Sequence, residues 1–250
     1  MTKRPRYQGA GSSTINPYRL TNLLDCLKEQ GIECSYAQGY ERVESENDVT
    51  LREEAIKVAK NSELVILCVG LTENFESEGM DRFTLDIPAN QNKLIEEICK
   101  VNKKVVIVLS NGSPILMPWK DNVQAIITGY LGGEAGAEAM VNCLTGKVNP
   151  SGKLAETYPL SLEDTPCYNY YPGTEVSVEY KESIYVGYRY YDKISKNVLF
   201  PFGYGLSYTT FEYSNLNVEE DEEDISVRLK IKNTGKVAGK EIAQVYIGQE

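Results

Sequence analysis

The chain has 250 residues, enough for one large domain or a domain with a smaller appendage. With 42% apolar and 25% charged residues it has an ordinary globular composition, and a formal net charge of −10 argues against nucleic acid or an anionic membrane as partner. Histidine is absent, which removes Ser-His-Asp and Cys-His triads, the common zinc sites and any imidazole acid or base.

Proton transfer near neutral pH must then come from carboxyls, or less often from Lys, Tyr or Cys. No metal centre and no cofactor are expected. The six cysteines have no CxxC spacing, and Cys68 and Cys99 fall inside apolar patterns, as buried free thiols do. The N-terminal MTKRPRYQGAGSS lacks an apolar core, and no stretch approaches the roughly 20 apolar residues of a membrane span. The sequence therefore reads as a reduced, cytoplasmic protein.

Residues 17–30, PYRLTNLLDCLKEQ, predict a helix opened by Pro17, with Leu20, Leu23, Leu24 and Leu27 on one face. IECSYAQGY (32–40) reads as a short strand. TLREEAIKVAK (50–60) predicts a second helix, with Thr50 as N-cap and Glu53 completing a capping box. ELVILCVGL, KVVIVLS and VQAIITGYL are continuous apolar runs, as expected of parallel strands covered on both faces. NQNKLIEEICKV and GEAGAEAMVNCLTG read as helices. This alternation predicts an α/β fold with a parallel sheet and helices on both faces.

Residues 146–206 carry many Gly, Pro and Tyr and no long periodic element, which predicts a loop-rich connection. From Thr209 the pattern alternates through FEYSNLNV, ISVRLKIKNTG and EIAQVYIG, as in an antiparallel sheet with one wet face. This part has roughly 44 residues, far fewer than a complete immunoglobulin-like sandwich of about 100. The last strand stops in mid-pattern at Gln249-Glu250, and PRYQGAGSS reads like the loop after a missing strand, so both ends look cut.

The stretch ENFESEGMDRF (73–83) follows an apolar run directly, which places it at the carboxyl end of a parallel strand, where ligands bind in open sheets. Glu73, Glu76, Glu78 and Asp81 crowd this loop, so repulsion should raise at least one pKa unless Arg82 or a metal compensates. A carboxyl so raised is a candidate general acid, and a solvated loop with Asp81 paired to Arg82 is the plainer alternative. GAGSS (9–13) could cradle a phosphate, but it lacks the GxGxxG spacing and a following Lys-Ser/Thr, so a tight turn is the favoured reading.

PRYQGAGSS, ESEGMDR with LDIPANQ, GYLGGEAGAEAMVNCLTGKVNPSGKLAETYP, YVGYRYYD and PFGYGLSYTTFEYSNL follow one another in this order. Together they resemble the C-terminal half of the family 3 glycoside hydrolases, the β-glucosidase-type enzymes. The resemblance implies an (α/β)6-type sandwich over residues 1–160, a loop-rich connection over 161–206 and part of a fibronectin type III-like β-sandwich over 207–250. It implies Glu78 as the acid/base, with Gly79, Asp81 and Arg82 supporting its loop. Arg6, Tyr7 and Ser12 become candidates for contact with substrate or with the N-terminal barrel that carries the nucleophile in that family. The implied substrate is a β-glucoside or short β-linked oligosaccharide. Without the barrel the chain is half an active site and is expected to be inactive alone. A noncatalytic carbohydrate-binding or scaffold module is the alternative.

Such an enzyme needs a proton donor and a nucleophile about 5–5.5 Å apart, and the donor's pKa must be raised by burial and acidic neighbours. Tyr185, Tyr188, Tyr190 and Tyr191 could stack on sugars but more often anchor irregular backbone, and Trp119 is expected to pack.

Overall fold

The computed structural model describes residues 2–248. β1 (Val65–Gly70), β2 (Val105–Ser110) and β3 (Ala125–Thr128) form a parallel sheet in that order, with Val65 opposite Val105 and Val106 opposite Ala125. Alternation along the strands sorts their side chains between two cores. Leu67, Val69, Ile107 and Leu109 enter the larger one, while Cys68 and Val108 enter the smaller. α2 (Asp48–Lys60) and α3 (Ala89–Val101) close the first face, through Ala55, Ala59, Leu94, Ile95 and Ile98. α1 (Leu23–Glu29) and α4 (Gly136–Leu144) close the second, through Leu23, Cys26, Leu27 and Val141. The expected α/β sandwich with a parallel sheet is present, and all six cysteines are free thiols.

Several boundaries differ from the sequence reading. α1 begins at Leu23 rather than near Pro17, because the Asn22 side chain accepts from the Asp25 N–H at 3.0 Å and caps it there. The preceding residues are held by Glu134 instead, whose carbonyl accepts from the Thr21 hydroxyl at 2.8 Å. α2 starts two residues before Thr50, and no capping box forms. The buried Asp48 carboxylate accepts from the Glu41 and Ser45 N–H groups at 2.6 and 2.8 Å, so it anchors the entry to the helix. Residues 32–40 join no strand. Ile32, Cys34 and Tyr36 face solvent, so the alternating residues bury no apolar face, and the segment reaches the core through Ala37 and Tyr40.

β4 (Phe211–Glu220) and β5 (Ile225–Asn233) form a separate antiparallel pair, joined by the acidic turn at 221–224 and irregular between Ser214 and Asn217. The third strand expected at EIAQVYIG is not formed over its described residues. There Gln244 donates to the Gly203 carbonyl at 3.1 Å, Tyr246 packs edge-on against Tyr188, and Glu241 pairs with Lys153 at 3.2 Å. These contacts draw the segment toward the loop-rich connection instead of the β5 ladder. The expected break at Gln249-Glu250 lies outside the described residues.

α5 (Tyr188–Lys193) lies within the loop-rich stretch. Tyr188 stacks on Phe202 with centroids 4.9 Å apart, and Tyr191 is buried, so these tyrosines anchor irregular backbone. Trp119 is buried too, and its indole N–H donates to Asn92 at 2.9 Å.

Candidate active site

Residues 71–88 leave the carboxyl end of β1 and run to α3, so the acidic loop stands at that edge of the sheet. The loop after β2 and the loop after β3 leave the same edge. Residues 5–14 cross it, tied to the β3 loop by the Gly133 N–H donating to the Tyr7 carbonyl at 2.8 Å. The acidic loop and three segments distant from it in sequence therefore gather at this edge.

Glu78 is exposed at this meeting point. Its backbone N–H donates to the Ala10 carbonyl at 3.2 Å, and its carboxylate accepts the Ser12 N–H at 2.5 Å. Gly11 makes this close approach possible. It holds a φ of +102°, and a Cβ there would stand 2.5 Å from the Glu78 Cβ. GAGSS thus serves as a glycine turn that cradles a carboxylate of its own chain. Gly79 has a φ of +73° and open space where a Cβ would be.

The expectation of a raised Glu78 pKa is not met. Hydrogen bonding from Ser12, through side chain and backbone, holds it below the ordinary carboxylate value. Desolvation, which would oppose this, is the smaller effect at so exposed a position, and the neighbouring acids have partners of their own. Glu73 pairs with Arg42 at 2.5 Å, and Glu76 with Arg6 at 3.4 Å. The carboxyl that is raised in this neighbourhood is Glu156, by burial first and then by Glu76, against the pull of Arg82.

Asp81 and Arg82 do not pair with each other among the described residues. Asp81 accepts from the Tyr171 hydroxyl at 2.7 Å. Arg82 donates through Nη1 to Ser113 Oγ at 2.7 Å and to the Pro114 carbonyl at 2.9 Å, while its Nε and Nη2 are buried without partners. Arg82 thus pins the far end of the acidic loop to the loop after β2. Arg6 is buried and donates to the Glu76 carbonyl at 2.7 Å, so it braces the loop from behind. The Tyr7 hydroxyl turns back to the Ile15 carbonyl at 3.4 Å. Of the residues singled out in the sequence, Ser12 meets Glu78 directly, and Arg6 and Arg82 hold the loop that carries it.

A titration of the Ser12 amide resonance tests this geometry. A depressed carboxyl contributes its contact above the ordinary range and loses it as pH falls through the lowered value. The Ser12 amide is therefore expected to titrate below the ordinary glutamate pKa of about 4.3. Gly11→Ala, which displaces Glu78, should bring that midpoint back up; an unchanged midpoint would mean that Ser12 does not hold the carboxylate.

The comparisons with known proteins agree with this architecture. The chain matches the glycosyl hydrolase family 3 C-terminal domain over residues 1–208. Over 98% of its length it is 48% identical to a thermostable beta-glucosidase B from Acetivibrio thermocellus, of which it covers 33%. With the same coverage of both chains it is 44% identical to an exo-alpha-(1->6)-L-arabinopyranosidase from Bifidobacterium breve. It also superimposes on the crystal structure of a family 3 beta-glucosidase from Bifidobacterium adolescentis with a TM-score of 0.90 and 43% identity, covering 94% of this chain and 35% of that one. The chain spans about a third of the length of these relatives. By the family match and by these identities, the chain belongs to glycosyl hydrolase family 3 and corresponds to its C-terminal domain.

Proposed function

We propose that this chain supplies the general acid/base, Glu78, of a retaining β-glycosidase that hydrolyses terminal β-D-glucosides, and that a nucleophile-bearing barrel domain completes the site. The observation that carries this reading is an exposed carboxylate at the sheet's ligand edge, gripped by one backbone N–H, while the acids beside it are neutralised by Arg6 and Arg42. Such a group can reach a substrate oxygen, and its loop is braced on both sides.

The lowered pKa suits the second half of a retaining reaction, in which the residue acts as base toward water. For the first half it must carry a proton. A nucleophile carboxylate about 5–5.5 Å away and a docked domain that excludes water would both raise it. The isolated chain provides neither, and we therefore expect it to be inactive alone. We assign the sandwich to residues 1–160, the connection to 161–206 and the partial β-sandwich to 207–250. The choice of sugar we place in the partner domain, because relatives matched over the same share of this chain are named for a glucoside and an arabinopyranoside.

The lowered Glu78 pKa is also the one observation that favours the other reading, a noncatalytic carbohydrate-binding or scaffold module. Turnover of an aryl β-glucoside separates the two. The chain is assayed alone and fused to the N-terminal part of the Acetivibrio thermocellus relative. Activity in the fusion only is the expected result. Activity of the chain alone, abolished by Glu78→Gln, would mean that these 250 residues carry a nucleophile as well. A folded fusion that binds glucosides without turnover would favour the module.

A further inference from the structure

We infer that Glu76 is a positioning residue for Glu78, a group that ties three loops together beneath the acid/base carboxylate. This rests on the reading of Glu78 given above.

The geometry is as follows. The Glu76 side chain is only 18% exposed, although it sits in a loop whose other acids face water. One carboxylate oxygen, Oε2, accepts the Gly112 N–H at 2.9 Å and lies 3.4 Å from Arg6 Nη2. The other, Oε1, accepts from Ser113 Oγ at 2.5 Å. Ser113 Oγ in turn accepts from Arg82 Nη1 at 2.7 Å. Glu76 therefore lies between buried Arg6, in direct contact, and half-buried Arg82, reached through a hydroxyl. Both arginines bear on Glu78. Arg6 opens the segment whose Ser12 N–H binds the Glu78 carboxylate, and Arg82 ends the turn that Glu78 occupies. Residues 76 and 82 are both staked to the loop after β2, and Glu78 projects from the span between them.

A neutral amide cannot replace this arrangement. Glutamine could keep the Gly112 bond through its oxygen, but its NH2 would then face the Ser113 hydroxyl, which already accepts from Arg82 and donates at this point. Arg6 would keep its bond to the backbone carbonyl of residue 76 but lose the carboxylate beside its buried charge, and the segment holding Ser12 would be held less firmly. Displacements of about 1 Å at a reacting group can lower turnover on the order of a hundredfold, which sets the scale of the effect.

Two measurements test the inference. In the chain itself, the amide resonances of Ser12 and Gly112 are compared in wild type, Glu76→Gln and Glu78→Gln. Glu78→Gln is expected to move Ser12 and leave Gly112 in place, whereas Glu76→Gln should move Ser12 as well, across two loops. In the fusion enzyme, Glu76→Gln should lower kcat on the order of ten- to a hundredfold with KM little changed. The loss should be larger for an alkyl glucoside, whose leaving group needs the proton, than for a nitrophenyl glucoside, which barely does. A merely structural role would lower both substrates alike and leave Ser12 unmoved; that result overturns the inference. Should Glu76→Gln fail to fold, Ser113→Ala removes one bond to the carboxylate and keeps the charges paired. It should then shift Ser12 and widen the gap between the two substrates, and no shift and no gap would again overturn the inference. If Glu78→Gln itself leaves turnover of both substrates intact, the reading of Glu78 fails, an outcome distinct from an unmoved Ser12.

Discussion

Glu78→Gln in the fusion enzyme is expected to lower kcat for an alkyl β-glucoside by about 10²- to 10⁴-fold, the contribution a positioned general acid makes. Glutamine keeps the volume of the side chain and can still accept the Ser12 N–H, so the turn that carries it should persist. What it cannot do is give up a proton. The defect should therefore follow the basicity of the leaving group. A nitrophenolate departs with little help, and its glucoside should form the glycosyl-enzyme nearly as fast as in wild type, then stall because no base activates water. A burst of nitrophenol followed by slow turnover is the signature of that sequence. The pH profile gives an independent check. If the docked domain raises the Glu78 pKa, the alkaline limb of kcat/KM reports this group and disappears in the variant. Equal losses on both substrates, with no burst and an unaltered alkaline limb, would show that Glu78 does not transfer the proton.

How much of this could be read from the sequence differs between fold and site. β1, β2 and α3 were legible because each buries a face that its own pattern displays. VILCVG carries no polar residue and VVIVLS only its terminal serine, and the Leu94, Ile95 and Ile98 face recurs at helical spacing. Residues 32–40 misled because Ile32, Cys34 and Tyr36 alternate like a strand, yet no neighbouring strand takes up their hydrogen bonds and the residues stay exposed. α1 started late because an asparagine cap and the Glu134 carbonyl, over a hundred residues away, decided its entry.

At the site, Glu78 was singled out through a motif, whereas the contacts of Glu76 and Gly11 were not legible. Their meaning lies in contacts between segments 36 to 70 residues apart, which no local pattern encodes. The sequence did carry one signal. Four acids in a short loop had to find compensation, and two arginines stood among the flanking motifs. The compensation came, but Arg82 shared it through Ser113 with Glu76 and did not pair with Asp81.

Gly70→Ala is expected to cost more than about 4 kcal/mol of stability or to abolish folding, the range reached only when a core backbone contact is broken. Gly70 ends β1 with a φ of +147°, a conformation that residues with a side chain rarely adopt. A Cβ there would overlap the Ser110 carbonyl and stand 2.7 Å from its carbon, and both belong to the backbone of β2, which has nowhere to move. The position is fixed from its other side too. The buried Gln91 side chain accepts the Gly70 N–H at 2.8 Å and donates to the Gly70 carbonyl at 3.0 Å, closing the strand's end against the first turn of α3. Gln91→Leu should therefore be costly in its own right, by about 1–3 kcal/mol for each backbone group left buried and unpaired. Urea unfolding of the three chains measures both effects as shifts in midpoint at constant slope. The consequence for function is local, since the acidic loop begins at the next residue. If Gly70→Ala unfolds within about 1 kcal/mol of wild type, the loop does not leave the sheet where Gly70 and Gln91 place it. In that event the position of Glu78 would have to be set by Glu76 and its partners alone.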